Sequence, residues 1–192
     1  MNHLDQLPPL STPRLLLRAF TLEDAPAVQA LCNDQRIYAT SLSIPHPYQL
    51  ANAEWWIGQH TDNLRKDRQA DFALVLHDCQ TLVGTVGLKA KRKPECGELG
   101  YWVGAPYWGK GYATEASRAV LRFGFEIWDL PYIYARHFAE NIASGRVLQK
   151  IGMVYESLTI GKFCKDGRKI DSCQYGLRRE HFCQAESDAL AQ

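Results

Sequence analysis

The sequence predicts an α+β fold, with strands and helices mixed along the chain and one sheet at its centre. Short apolar or alternating runs, typical of strands, recur between longer stretches in which apolar residues return every three or four positions, as they do in helices. The early strand runs include a hairpin, which favours antiparallel neighbours, whereas later runs are separated by helices. The predicted sheet therefore begins antiparallel and later includes strand–helix–strand units.

The first part of the chain predicts a strand and two helices. The apolar run over 14–20 suits a first strand. Thr21 with Asp24 three residues later resembles a capping box, so we predict a helix from there to about residue 33. A proline-containing loop follows, and then a helix over 49–65.

The rest of the chain predicts a hairpin followed by alternating strands and helices. The hairpin consists of strands over 71–76 and 81–89, separated by a short polar turn. After it the predicted elements are, in order, a strand over 97–103, a helix over 112–127, a strand over 132–137, a helix over 141–150 and strands over 153–163 and 169–177.

The length and composition indicate one domain. The chain has 192 residues, of which 46% are hydrophobic and 22% charged, an ordinary globular composition. A chain of this length can bury roughly 70% of the surface that its unfolded form exposes, enough for one sizeable core. We expect residues 1–12 to be a lead-in, residues 13–179 a single domain and residues 180–192 a loosely held tail.

Charge, hydropathy and cysteine spacing exclude several classes of protein. With 22 basic against 21 acidic side chains the formal net charge is +1, which argues against nucleic-acid binding. Apolar runs fall short of the roughly 18 residues of a membrane span, and the start lacks the features of a signal peptide. The six cysteines lack zinc-site spacing, so we expect reduced thiols, no metal and a cytoplasmic location.

A glycine-rich turn between a strand and a helix predicts an anion site. Gly109 and Gly111 leave backbone amides accessible, and the helix that follows presents unpaired N–H groups and the positive end of its dipole. Lys110 adds a cation at the same place. The alternative is a tight turn that binds nothing.

Two phosphate-binding motifs fit this turn poorly. The dinucleotide motif Gly-x-Gly-x-x-Gly finds Thr114 where its last small residue belongs. Gly104, Gly109 and Lys110 satisfy most of the Walker A pattern, but Gly111 replaces the serine or threonine that holds magnesium. A nucleotide-dependent phosphotransferase therefore remains only a remote alternative.

Four segments of the sequence together resemble one family. They are PRLLLRAFTLEDA, LVGTVGL, GELGYWVGAPYWGKGYATEA and ENIASGRVLQKIGM, and they span nearly the whole chain. The chain is similar to the GNAT-fold N-acetyltransferases, and within them to the RimJ/RimL branch of ribosomal-protein N-terminal acetyltransferases. This resemblance implies a mostly antiparallel, twisted sheet of about seven strands, flanked by helices and splayed near its middle strands. It also implies an enzyme with acetyl-CoA as cosubstrate.

The resemblance assigns the pyrophosphate of acetyl-CoA to the glycine-rich turn. The family motif, Gln or Arg followed by x-x-Gly-x-Gly/Ala, falls on residues 108–113, and Trp108 departs from it at the first position. Backbone amides of the turn are expected to hold the pyrophosphate. The residues expected at this site are Trp108, Gly109, Lys110, Gly111, Tyr112, Ala113 and Thr114.

The resemblance places the pantetheine arm of acetyl-CoA beside the fourth predicted strand. The arm would pair with the main chain of Tyr101, Trp102 and Val103 as an added strand, although core packing explains the two aromatic side chains as well. Asn141 and Ser144 match the family's N-x-x-A/S segment, whose side chains reach the same arm. A helix N-cap explains Asn141 equally well.

Two residues are the candidates for proton transfer. Glu98 is the candidate general base by position, with a solvated strand carboxylate as the alternative, and a backbone N–H near Val103 would donate to the oxyanion. Many family members carry a tyrosine acid where this chain has Leu148, so Ser144, or a water that it orients, is the expected donor to the departing thiolate. An acetyl-cysteine route through Cys96 is disfavoured, because nothing near it in sequence would lower its pKa.

The favoured acceptor is the α-amine of a ribosomal or other protein N-terminus, attacked directly in a ternary complex. An α-amine has a pKa of about 7.7 to 8.0 against about 10.4 for lysine, so it needs less help from a base. The alternatives are a small amine, such as a polyamine or aminoglycoside, and a non-catalytic module that binds acetyl-CoA. His46, Trp55 and Trp56 lie where the family binds its acceptor, although loop exposure and core packing explain them too. The protein is expected to be a monomer or a homodimer without nucleic-acid or membrane partners.

Overall fold

An open sheet of eight strands runs through the part of the chain that the structure describes. The computed structural model describes residues 4–92 and 95–183. The strands are β1 (Leu10–Ser11), β2 (Leu15–Ala19), β3 (Gln69–Leu76), β4 (Leu82–Arg92), β5 (Glu95–Val103), β6 (Tyr132–Phe138), β7 (Val154–Lys165) and β8 (Arg168–Arg178). Their order across the sheet is β1-β2-β3-β4-β5-β6-β8-β7.

The helices connect these strands. They are α1 (Ala25–Cys32), α2 (Gln35–Ala39), α3 (Leu50–Gly58), α4 (His60–Asp67), α5 (Tyr112–Arg122) and α6 (Ile142–Lys150), with 3-10 turns at Leu22–Asp24 and Ala105–Tyr107 and a π-helical turn at Phe123–Ile127. The predicted capping box forms, since the Asp24 carboxylate accepts a hydrogen bond from Thr21 N (2.9 Å). A helix with the length and apolarity to cross a membrane is not found among the described residues.

The central strands β5 and β6 are parallel neighbours that separate partway along their length. Their pairing begins at Gly97 with Ile133 and ends at Leu99 with Ala135. Both strands continue beyond this last pair, β5 to Val103 and β6 as far as residue 138. The sheet therefore opens into a gap, which we call the splay. The predicted mixed fold, with a mostly antiparallel sheet splayed near its middle strands, is confirmed.

The two faces of the sheet pack against different helices. One core joins the sheet to α5 and α6 and fully buries Val120, Leu121 and Leu148. The other core lies under α1 and α3 and fully buries Val28 and Ala53. Because side chains alternate along a strand, successive residues of β5 point to opposite faces. Side chains of β5 at the splay therefore reach both helical layers, with Tyr101 against one core and Trp102 against the other.

Three segments differ from the sequence prediction. The helix predicted over 49–65 is two helices, because Gln59 ends α3 and begins α4. The helix predicted over 112–127 is α-helical only to Arg122, where the π-helical turn begins and buries two phenylalanines. The short helix α2 was not predicted, and Asp34 caps it by accepting a hydrogen bond from Arg36 N (2.8 Å).

Both ends of the described chain are attached to the core. The strand β1, which falls in the predicted lead-in, pairs antiparallel with β2. Residues 179–183 are helical, and Phe182 packs on Phe125 with 5.1 Å between the ring centroids. The first residues of the predicted loose tail are therefore docked. The domain boundaries at 13 and 179 stay predictions, and residues 184–192 lie outside the described residues.

Candidate active site

A cleft of about 1370 Å³ lies at the splay between β5 and β6. It extends from the glycine-rich turn before α5 to the loop between α2 and α3, so both helical layers line it. The predicted site residues that line it are Glu98, Tyr101, Trp102, Val103, Trp108, Gly109, Gly111, Tyr112, Ala113, Thr114, Asn141 and Ser144. Lys110 is the predicted residue outside this lining, and its Nζ lies 5.5 Å from the centroid of the Tyr107 ring.

Two glycines with a left-handed backbone shape the turn that leads into α5. Gly109 has φ +77° and Gly111 has φ +83°, a region that residues with a side chain disfavour. Gly111 also caps α5, and Glu115 N donates the first bond of the helix to Gly111 O (3.0 Å). The N–H groups of residues 112–114 precede that bond and belong to residues that line the cleft. They provide donors and a positive helix end for an anionic ligand.

An arginine from the start of the domain holds this turn in place. Arg14 Nη1 donates to Lys110 O (2.8 Å), and Arg14 Nη2 lies 2.6 Å from Glu115 Oε2. Thr12 Oγ1 also donates to the Glu115 carboxylate (2.7 Å). Burial opposes the ionisation of Glu115, but the hydrogen bonds from Thr12 and Arg14 outweigh it and hold the pKa of that carboxyl below its ordinary value. Sequence reasoning missed this contact because about a hundred residues separate its partners.

Trp108, which stands where the family has Gln or Arg, fastens the turn to the end of β5. Its indole Nε1 donates a short hydrogen bond to Val103 O (2.5 Å), and the Arg36 guanidinium lies 5.7 Å from its ring centroid. The ring remains about half exposed. The side chain thus positions the turn, whereas the backbone amides remain the donors for a ligand.

Two hydroxyl groups meet on the α6 side of the splay. Tyr101 Oη lies 2.8 Å from Ser144 Oγ and donates to Ser144 O (3.1 Å). Burial raises the pKa of Tyr101 to about 12, so the phenol is protonated at neutral pH. Asn141 caps α6 by accepting a hydrogen bond from Ser144 N (3.2 Å). Leu148, on α6 at the position of the family's tyrosine acid, is fully buried in the core. A phenol reaches this side of the cleft from β5 instead, on Tyr101.

Glu98 is held by cationic and phenolic neighbours. Its carboxylate lies 3.0 Å from Lys91 Nζ and 3.4 Å from Arg136 Nη1, and accepts a hydrogen bond from Tyr134 Oη (2.7 Å). Burial opposes ionisation, but the hydrogen bonds from Tyr134 and Lys91 outweigh it and lower the pKa of Glu98. The group is therefore ionised at neutral pH and weakly basic.

Aromatic side chains line the opposite half of the cleft. Trp56 packs edge-on against Phe20, with 5.1 Å between centroids, and Trp102 packs against the core under α1 and α3. Trp55 is 68% exposed at the rim of the cleft. His46 does not line the cleft, and its ring lies 5.5 Å from that of Tyr38. Core packing thus accounts for Trp56 and Trp102, whereas Trp55 presents an apolar face at the cleft entrance.

The tip of the β7–β8 hairpin is joined to α2 beside this half of the cleft. Tyr38 Oη donates to Asp166 Oδ1 (2.5 Å). Lys165 Nζ donates to Ser41 O (2.7 Å) and lies 3.5 Å from the centroid of the Tyr38 ring. These contacts fix the wall formed by the end of α2.

Two further titratable residues, Cys96 and Asp71, lie near the reacting groups, and only Cys96 was considered from the sequence. Burial raises the pKa of the Cys96 thiol, which disfavours the thiolate that an acetyl-cysteine route needs. Asp71 was not singled out, yet it lines the cleft with a side chain only 11% exposed. In the sequence, Asp71 looks like any polar residue of an alternating strand, so no local signal marked it as a site residue.

The comparisons with known proteins agree with this architecture. A family model described as an acetyltransferase (GNAT) domain matches residues 14–154. The chain is 29% identical over 174 residues to the uncharacterized N-acetyltransferase YnaD of Bacillus subtilis. The matched region covers 90% of this chain and 98% of that protein.

Solved structures give the same picture. A GNAT-family acetyltransferase from Bacillus anthracis superposes with a TM-score of 0.78 at 26% identity, covering 90% of this chain and 99% of that one. A protein from Vibrio cholerae, proposed to be a ribosomal-protein-serine acetyltransferase, superposes with a TM-score of 0.76 at 26% identity, covering 91% and 99%. With its splayed sheet, its glycine-rich turn and a family match over residues 14–154, the chain belongs to the GNAT acetyltransferases and is an enzyme that uses acetyl-CoA.

Proposed function

We propose that this acetyltransferase modifies a primary amine, with the α-amine of a protein N-terminus as the favoured acceptor, by direct attack in a ternary complex. One observation carries the proposal. The cleft joins the glycine-rich turn and Ser144 to a separate half lined by α3 and the loop before it. Two substrates can therefore meet at the splay from opposite sides, as direct transfer requires. The relationship to the RimJ/RimL branch is part of this proposal, and the likeness to the Vibrio cholerae protein supports it.

The residues present fit acetyl-CoA. The glycine-rich turn over 108–114 would hold the pyrophosphate through N–H groups, and no described atom beyond its neighbours lies within 4 Å of a Cβ built on Gly109. The part of β5 beyond Leu99 is not paired with β6, so its edge can bind an amide-bearing chain as an added strand. Main-chain groups near Tyr101, Trp102 and Val103 would make these bonds, and Asn141 and Ser144 would flank them.

Ser144 is the proposed proton donor to the departing thiolate. Its Oγ is within hydrogen-bond distance of the Tyr101 phenol, which keeps its proton at neutral pH. When the C–S bond breaks, a proton can pass from Ser144 Oγ to sulfur while Tyr101 Oη turns its hydrogen bond from Ser144 O to Ser144 Oγ. The proton that the acceptor nitrogen loses on becoming an amide restores the serine hydroxyl. A backbone N–H on the free edge of β5 would stabilise the oxyanion of the tetrahedral intermediate.

The charges in the acceptor half favour an acceptor with a single amine. The acidic side chains Asp71 and Glu98 are accompanied there by Lys89 and Arg136. These four charges balance, so this half of the cleft offers no net negative charge to hold the several positive charges of a polyamine or aminoglycoside. A protein N-terminus carries one charge at the reacting end, and the exposed Trp55 at the rim can pack against the residues that follow.

Thermal unfolding with separate ligands tests the cofactor. At 100 times its dissociation constant, acetyl-CoA or CoA should stabilise the protein by about 2.7 kcal/mol. Stabilisation by Mg-ATP alone would instead support a phosphotransferase. Stabilisation by acetyl-CoA without release of free CoA in the presence of any amine would support a non-catalytic binding module.

An acceptor screen tests the amine. Peptides with free N-termini, N-blocked lysine peptides, polyamines and aminoglycosides are incubated with acetyl-CoA, and the release of free CoA is measured. We expect the highest kcat/KM for peptides with a free N-terminus. A preference for polyamines or aminoglycosides would contradict the protein N-terminus as acceptor. A cytoplasmic location belongs to the same proposal, supported by the free thiols of Cys32, Cys79, Cys96, Cys164 and Cys173.

A further inference from the structure

A row of three residues crosses β3, β4 and β5 on the acceptor side of the sheet. Asp71 pairs with Gly87, and Gly87 pairs with Gly100. All three line the cleft. Paired residues on neighbouring strands point to the same face, and glycine carries no side chain. The floor of the cleft between Asp71 and the splay is therefore bare backbone.

The Asp71 carboxylate occupies the space above Gly87. A Cβ built on Gly87 would lie 2.4 Å from Asp71 Oδ1, so only glycine at this position leaves room for the carboxylate over β4. A Cβ on Gly100 would meet no described atom within 4 Å, so the position above it is open. The two positions are one strand spacing apart, about 4.8 Å. A carboxylate thus faces an open position beside the unpaired part of β5.

The partners of Asp71 leave its charge available to a cation. Gln69 Nε2 donates to Oδ2 (2.9 Å), and His60 Nε2 lies 4.0 Å from the same oxygen. Burial lowers the pKa of His60, although Asp71 opposes this, so the imidazole is neutral at pH 7. None of the lysine and arginine side chains that the structure describes forms an ion pair with Asp71. Glu98 differs in this respect, since Lys91 and Arg136 already pair with it.

We propose that Asp71 binds the ammonium group of the acceptor above Gly100 and acts as the general base. This inference rests on the proposed function. The positions above Gly87 and Gly100 are close enough for one water to bridge the Asp71 carboxylate and the acceptor nitrogen. The carboxylate takes a proton from nitrogen, and the nitrogen lone pair forms the N–C bond to the thioester carbon. The nitrogen of the tetrahedral intermediate is then positively charged and carries a second proton to be lost. As the C–S bond breaks, its electron pair stays on sulfur, the thiolate takes a proton from Ser144, and the second nitrogen proton passes through water to Ser144 Oγ, which restores the serine hydroxyl and leaves a neutral amide. The proton on Asp71 returns to solvent with product release.

Other ionisable groups face this position from the surrounding elements. They are His60 at the start of α4, Lys89 on β4 and Glu98 on β5, whereas Arg18 on β2 is paired with Asp24 at 2.7 Å. Lys89 is cationic and Glu98 is already ion-paired, so neither matches Asp71 as a proton acceptor for an ammonium group. His60 reaches the acceptor only through Asp71, because it does not line the cleft itself.

The pH dependence of Asp71→Asn tests the assignment. Without a base, turnover follows the fraction of neutral amine, which falls tenfold per pH unit below a pKa of about 7.7 to 8.0. For a peptide with a free N-terminus, we expect kcat/KM of Asp71→Asn to be about 100-fold below wild type at pH 6 and less than about tenfold below it at pH 9. An equal loss at both pH values, or no loss, would overturn the assignment.

Three further variants separate this role from a structural one. Asp62→Asn, on the exposed face of α4, is the matched control and should keep wild-type kcat/KM at both pH values. Glu98→Gln should lack the pH-dependent loss, and finding that loss there instead of in Asp71→Asn would assign the base to Glu98. Gly100→Ala places a methyl in the open position, and should raise the KM for the peptide with little change in the melting temperature or in CoA affinity. A wild-type enzyme that binds acetyl-CoA but acetylates no amine would overturn the proposed function itself, and the role of Asp71 with it.

Discussion

At the residue scale, hydrogen bonds and ion pairs separate groups that look equivalent in the sequence. Glu98 and Asp71 are both strand carboxylates that line the cleft, but Glu98 has Lys91 and Arg136 as partners whereas Asp71 has Gln69 and a neutral His60. Except for Gln69, which lies on the same strand as Asp71, these partners come from other strands and from α4. The position of Glu98 before the cofactor strand could be predicted from the sequence, but its ion pairs could not, because they depend on strand register.

Glu98→Gln should affect stability in a pH-dependent way. The pKa of Glu98 is lowered in the folded state, so the group stabilises the fold above its unfolded pKa of about 4.3, and this contribution disappears as the pH falls through the folded value. Urea unfolding should therefore show a larger difference in unfolding free energy between wild type and Glu98→Gln at pH 7 than at pH 3.5. A difference that grows in acid would contradict the ion-paired state of Glu98.

Tyr101→Phe should lower kcat through Ser144. The substitution removes the phenol that lies 2.8 Å from Ser144 Oγ and keeps the ring, so we expect a loss of about tenfold in kcat with little change in CoA affinity. Ser144→Ala should cost about 100-fold. Because Tyr101 acts through Ser144, the double variant should be no slower than Ser144→Ala. Multiplicative losses in steady-state kinetics would show that the two hydroxyls act independently.

At the element scale, the conformation of the glycine-rich turn depends both on its own sequence and on contacts with a residue far away in the chain. Its glycines and the helix that follows could be recognised from the sequence because positive φ and free helix amides are local properties. The contacts of Arg14 with Lys110 O and Glu115 could not be recognised, because the segment that leads into β2 reaches the start of α5 only after the sheet has formed. The same holds for the place of the Lys110 side chain, whose Nζ lies over the Tyr107 ring, and its role as a cation at the anion site stays a prediction.

Arg14→Ala should weaken CoA binding without changing the chemical step. The side chain bonds Lys110 O and the Glu115 carboxylate, so its loss frees the turn that presents the amides. We expect the dissociation constant of CoA, measured by calorimetry, to rise about tenfold, which corresponds to about 1.4 kcal/mol, while kcat at saturation stays near wild type. Arg122→Ala is the matched control, because its pair with Glu126 is exposed and 3.8 Å long, and it lies eight residues after Thr114, the last residue of α5 that lines the cleft. An equal loss of CoA affinity in both variants would contradict the role of Arg14 in holding the turn.

At the scale of the whole molecule, the ends of the chain support the same core that carries the splay. Phe182 follows β8 and packs on Phe125 of the π-helical turn that continues α5. The composition predicted one core. The sequence near residue 180 lacks hydrophobic periodicity, so this contact could not be predicted from it. A single aromatic side chain can dock a segment whose pattern predicts no regular element, because burial of its area is sufficient.

Phe182→Ala should destabilise the fold. The side chain is buried, and removing a buried phenylalanine costs about 3 kcal/mol or more. We expect urea unfolding to show a loss of that size, with a lower midpoint and an unchanged slope. Leu158→Ala on the exposed edge strand β7 is the control and should change stability by less than about 0.5 kcal/mol. A similarly small effect of Phe182→Ala would show that the tail is loosely held, as its sequence alone predicts.

The sequence by itself determined the mixed fold, most strand and helix positions, the glycine-rich turn and the family resemblance. These follow from periodicity, turn chemistry and segment order, which act over short distances along the chain. The tertiary structure alone decided which side chains meet at the splay: Tyr101 with Ser144, Arg14 with Glu115, and Asp71 with two glycines on neighbouring strands. The physical reason is strand register, which brings residues far apart in the chain to the same face of the sheet and which no local pattern encodes.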